Sequence, residues 1–103
     1  MNADKRLGFN TDYETVAASQ TDQVLGATGA KGDLLERLII SVATAATSTV
    51  SIKDIGGSAI VITAANTPIG VYSVDIGAKS LAGAGWSVTT GAGVTVIAVG
   101  KFT

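Results

Sequence analysis

Short β-branched runs, each closed by a glycine-bearing turn, recur along this chain and leave little choice of fold. Val50-Ser51-Ile52-Lys53 alternates with period two, the spacing that sends successive side chains to opposite faces of a strand. Asp54-Ile55-Gly56-Gly57 supplies turn chemistry, because glycine reaches positive φ without a steric cost. Ala59 to Thr63 returns as the partner strand of a hairpin. In Gly70 to Ile76, Val71, Ser73 and Asp75 differ in polarity from Tyr72, Val74 and Ile76. Trp86-Ser87-Val88-Thr89 alternates again, and Thr90 to Gly93 turns the chain into Val94 to Val99. That last run is apolar on both faces, so it is expected to be a central strand buried on both sides.

The first half is less regular. Thr15 to Ser19 and Gln23 to Leu25 read as short strands, and Gly26, Gly29 and Gly32 mark a turn-rich loop. Leu34, Leu35, Leu38 and Ile39 would suit one face of a helix, yet Ile39-Ile40-Ser41-Val42 is rich in β-branched residues and favours a strand. Gly, Ala, Ser and Thr make up 50 of the 103 residues, and Val and Ile add 20. Small and β-branched side chains suit tight turns and close sheet packing. About eight short strands are expected, forming one all-β domain, a β-sandwich or jelly roll, over residues 13–103. Residues 1–12 carry four charges around Leu7 and Phe9 and are expected to form a flexible N-terminal arm.

Charge narrows the function. Seven basic residues face eight acidic ones, giving a net charge of −1, so there is no basic excess to neutralise nucleic-acid phosphates. Ten of the 15 charged side chains fall within residues 1–37, which leaves a weakly charged body. Charge keeps monomers soluble and apart, so such a body suits either a neutral sandwich with Thr and Ser facing water or a surface covered by partners. No apolar stretch of signal-peptide or membrane-spanning length is present, and a soluble protein made in the cytoplasm is expected.

The chain contains no His and no Cys, which excludes disulfides, Cys/His zinc sites and every catalytic triad or dyad built on imidazole or thiolate. Gly26-Ala27-Thr28-Gly29-Ala30-Lys31-Gly32-Asp33 superficially resembles a phosphate loop but lacks the Gly-Lys-Ser/Thr ending. Gly83-Ala84-Gly85 and Gly91-Ala92-Gly93 lack the third glycine of a dinucleotide fingerprint. Asp12 and Glu14 can share a strand face, as a glycosidase pair would, but beside a loose arm a low-dielectric pocket is hard to build. The acidic residues form no close calcium-ligand cluster. No enzymatic activity, cofactor or metal is therefore expected. Trp86 and Tyr72, on strands, are expected in the core or at its edge, and Phe9 and Tyr13 against a neighbouring subunit.

Val16-Ala17-Ala18-Ser19-Gln20-Thr21-Asp22-Gln23-Val24-Leu25-Gly26, then Gly29-Ala30-Lys31-Gly32-Asp33-Leu34-Leu35-Glu36-Arg37-Leu38, and the closing stretch from Gly85 to Gly100 resemble small head decoration, or cement, proteins of tailed bacteriophages. The resemblance runs over residues 15–103 and is a whole-chain pattern with no catalytic signature. It implies a jelly-roll-like β fold and a structural role on the virion. The chain would bind the major capsid protein on the capsid exterior as a homodimer or homotrimer, stabilising capsomer junctions, after synthesis in the host cytoplasm. Leu7, Phe9 and Tyr13 are the candidate partner contacts, and neither nucleic acid nor membrane is an expected partner. The alternative is a tail-fibre or receptor- or carbohydrate-binding β module, in which Trp86 and Tyr72 would be exposed beside polar groups.

Overall fold

Burial alternates along each long strand of the computed structural model, which describes residues 12–44 and 49–103. Eight strands occupy the described residues: β1 (Asp12–Val16), β2 (Gln23–Val24), β3 (Leu34–Val42), β4 (Val50–Asp54), β5 (Ile60–Thr63), β6 (Gly70–Lys79), β7 (Trp86–Thr89) and β8 (Val94–Lys101). They form two antiparallel four-stranded sheets, of order β1-β8-β3-β6 and β2-β7-β4-β5. β1 pairs with β8, β2 with β7, β3 with β6 and β4 with β5, as in one long hairpin whose tip is the β4–β5 turn. The further pairings β3–β8 and β4–β7 roll that hairpin into two layers. This is the jelly roll, one of the two architectures expected.

The core lies between the layers. β3 contributes Leu35, Leu38, Ile40 and Val42; β8 contributes Val94, Val96 and Ala98; Val50, Ile52, Trp86 and Val88 answer from the second sheet, and Val16 and Leu25 complete the cluster. The ambiguous Leu34 to Val42 segment is thus a strand. As a helix it would bury Leu34, Leu35, Leu38 and Ile39 together, whereas Ile39 turns outward here while Leu38 and Ile40 are fully buried. β6 follows its polarity pattern: Val71, Ser73 and Asp75 are exposed, and Tyr72, Val74 and Ile76 face inward, half-buried.

Two expectations need correction. β8 is central, but it is buried on one face only: Ile97 is 37% exposed on the other. Both faces read as apolar because Ile97 and Val99 alternate with the core residues, yet no third layer of the described residues covers the outer side of this sheet. The first strand runs from Asp12 to Val16, three residues earlier than expected at each end. Asp12 pairs with Gly100, one residue before the expected start of the folded domain. Beyond Val16 the chain turns, with Ser19 at φ 61, and Thr90 Oγ1 donates to the Ala17 carbonyl at 2.6 Å.

Candidate functional site

Three strands of the first sheet display an apolar strip on its outer face. Tyr13 on β1 lies opposite Val99 on β8, Thr15 opposite Ile97, and Ile97 opposite Ile39 on β3. Tyr13 is 72% exposed. With Asp12, Ile97 and Val99 it lines an open depression of about 470 Å³. Leu7 and Phe9 lie outside the described residues.

Three carboxylates, those of Glu14, Asp54 and Asp33, are engaged by the fold. Glu14 reaches across the gap at the β1–β2 side of the sandwich: Gly26 N donates to one of its oxygens at 2.7 Å and Gln23 Nε2 to the other at 2.8 Å. The Asp12/Glu14 pair is therefore not a free acid–base couple. Asp54 accepts from Ser80 Oγ at 2.6 Å, Leu81 N at 2.9 Å and Ala82 N at 3.2 Å. Ser80 Oγ accepts in turn from Gly85 N at 3.2 Å. Asp33 is buried and accepts from Thr103 Oγ1 at 2.7 Å, Thr103 N at 3.1 Å and Ala30 N at 3.1 Å. Burial works against its ionisation, but the Thr103 and Ala30 donors outweigh it and hold the carboxyl below its ordinary value. Asp54 is held below its ordinary value by the Ser80 hydroxyl, then by the Leu81 amide, with the Ala82 amide adding to them. Low carboxyl pKa values of this origin mark acceptors that lock loops together, whereas a general acid at neutral pH needs a raised one.

The glycine-rich loop has no free anion cradle. Thr28 N and Gly29 N, the amides a phosphate would need, both donate to the Thr103 carbonyl, at 3.1 and 2.9 Å. Gly29 takes φ +72 with its Cα against the Ala84 carbonyl, so an added Cβ would collide with that oxygen. Gly32 takes φ +91 with open space around it. Alanine at Gly32 pays only for the left-handed backbone, about 1–2 kcal/mol. Gly29→Ala carries that cost and the collision, so urea unfolding should show it to be the more destabilised of the two. Equal losses would mean that the Gly29–Ala84 approach is not tight.

A depression of about 290 Å³ lies on the outer face of the second sheet. Lys53 Nζ meets Asp22 Oδ2 there at 3.4 Å, and Ser87 Oγ is buried without a hydrogen-bond partner. A nucleophilic serine needs a base within hydrogen-bond reach, and Ser87 has none among the described residues. No group of three or more potential metal-ligating His, Cys, Asp or Glu residues gathers among the described residues. Trp86 is buried and its Nε1 donates to the Asp33 carbonyl at 3.2 Å. Tyr72 is half-buried and its hydroxyl donates to the Pro68 carbonyl at 2.7 Å. Neither ring is a free stacking platform, in keeping with the core or core-edge placement expected of them.

No known protein family, curated protein or solved structure matches this chain. What the chain offers to function is therefore read from its surfaces. One candidate is the outer strip around Tyr13, Ile97, Val99 and Ile39. Sequence reasoning found Tyr13 but missed Ile97 and Val99, because an apolar residue facing outward has the same local pattern as one facing a second layer. The Asp33–Thr103 and Asp54–Ser80 locks were also missed, since their partners lie 70 and 26 residues apart and no short motif joins them.

Proposed function

We propose that the chain is a structural virion protein, a decoration or cement protein that seats on the outer surface of a tailed-phage capsid and stabilises capsomer junctions. The observation that carries this reading is the outward apolar strip of the β1-β8-β3-β6 sheet, in a fold where the carboxylates of Glu14, Asp33 and Asp54 serve as internal locks. The sequence resemblance over residues 15–103 supports it, and jelly rolls are frequent in capsid proteins, although the architecture alone does not fix a function. In this mechanism the major capsid protein's closed lattice is bound better than separated capsomers, so occupancy favours the closed state. Each contact is weak. An oligomer that touches two or three capsomers gains strength through effective concentration. Burying Leu7, Phe9 and Tyr13 against a neighbour would anchor it, at about 1.5–3 kcal/mol for each large apolar side chain fully covered.

Antibody labelling of purified virions tests the proposal. The expected result is dense labelling over the head and none at the tail. Labelling confined to tail fibres would overturn it in favour of a receptor-binding module, and particles free of the protein would overturn both readings.

A further inference from the structure

The two flanks of the sandwich are built differently. On one, β1 and β2 present Asp12, Glu14 and Gln23, Asp22 directly precedes β2, and the Glu14 carboxylate bridges the layers. Charge of this kind is a standard protection of a sheet edge. On the other flank β5 and β6 are the terminal strands of their sheets, each paired on one side only. The whole segment 55–74, from the turn before β5 into β6, carries no charged residue. Ile60 is 51% exposed and Val61 58% on β5, and Val71 is 70% exposed on β6. The inward residues behind them, Ile62, Tyr72 and Val74, are only half-buried. Bulges interrupt both strands, one in the β4–β5 pairing and one near Gly77, but Gly70–Asp75 remains a regular six-residue run with a free backbone edge. β5 contains neither Lys nor Pro.

We propose that this β5–β6 flank is where a second copy of the chain docks, edge against edge. The inference rests on the self-association contained in the proposed function and assigns it a surface. A free strand edge offers a row of amides and carbonyls that another strand edge satisfies, and an identical copy brings an identical row. Placing a charged surface against itself sets like charges together; residues 55–74 carry no charge, and Asp75 and Lys79 lie toward the far end of β6, so this flank meets less of that penalty than the β1–β2 flank. Tyr13 lies at the opposite edge of the first sheet, on β1, three strands from β6, and stays open for the capsid.

Sedimentation and light scattering of the full chain test this without any virion, so the oligomer and the capsid role can fail separately. The wild-type chain should form a dimer or larger closed oligomer. Val61→Lys and Val71→Lys bring like charges together across the contact, so each should weaken association about a hundredfold or more. Tyr13→Lys should leave it unchanged. Both flank positions are exposed, so circular dichroism should show the variants folded. If one of them does not fold, amide exchange in the wild type decides: protection at residues 60–62 and 71–75 should rise with protein concentration. A monomeric wild-type chain, flank variants that assemble like the wild type, loss of the oligomer in Tyr13→Lys alone, or exchange at these residues that ignores concentration would each overturn the proposal. Failure here alongside head labelling of virions would leave the decoration role standing on another interface.

Discussion

Leu38→Ala should lower stability by about 3 kcal/mol, a large share of the roughly 5–15 kcal/mol that holds a domain of this size. Leu38 is fully buried at the middle of β3, opposite Val74 on β6 and Ala98 on β8. Both neighbours have short side chains, and neither can extend into the space that a missing isobutyl group leaves. The loss is therefore the transfer term plus most of the cavity term. At about 4–8 °C per kcal/mol, the melting temperature should drop by about 12–24 °C. Ile97→Ala is the matched comparison, one residue earlier on the neighbouring strand and on the opposite face. Its side chain already meets water, so the loss should stay below about 1.5 kcal/mol. Thermal unfolding of the pair separates the faces of the sheet. Similar losses would mean that something covers the outer strip in solution.

That comparison also locates the limit of what the residue pattern can disclose. Alternation is a local signal, and where polar and apolar residues alternate the faces were legible: β6 turns Ser73 and Asp75 outward and Val74 inward because only one arrangement hides the apolar set. β8 has Val96 and Ala98 on one face and Ile97 and Val99 on the other, so alternation identifies the strand but not which side is covered. The hairpin of β4 and β5 was legible from the turn chemistry between them. Its exposure as an unprotected edge was not, because the order of strands in a sheet depends on contacts between distant segments. The candidate site divides in the same way. Tyr13 stood out as an aromatic residue beside a polar arm, whereas its companions Ile97 and Val99 arrive from 84 and 86 residues further along the chain through the β1–β8 pairing.

Asp33→Ala should open one end of the sandwich and cost about 2–4 kcal/mol, with the size of the loss depending on pH. The Asp33 carboxylate gathers the Thr103 hydroxyl, the Thr103 amide and the Ala30 amide, and its own carbonyl takes the Trp86 indole N–H. Hydrogen bonds to an ionised acceptor are each worth about 1.5–3 kcal/mol when buried, and water recovers part of that at a half-open loop. Thr103 is also the residue whose carbonyl holds Thr28 N and Gly29 N, so losing its anchor loosens the 26–33 loop as well. The pH dependence has a definite sign. The folded pKa of Asp33 lies below its ordinary 3.8, so the unfolded chain takes up the proton first as pH falls. The contribution of the ionised group is present in full above that ordinary value and disappears as pH drops through the lower folded one. Asp54, lowered by the Ser80 hydroxyl and the Leu81 and Ala82 amides, adds a second loss over the same acidic range. Wild type and Asp33→Ala should thus differ most at neutral pH and converge in acid, and Asp33→Asn should lie between them because it keeps an acceptor but not the charge. Melting curves from neutral pH down to about two units below the ordinary carboxylate value test this. A gap between wild type and Asp33→Ala that stays constant across the range would show that the charge contributes nothing and that shape alone holds the loop.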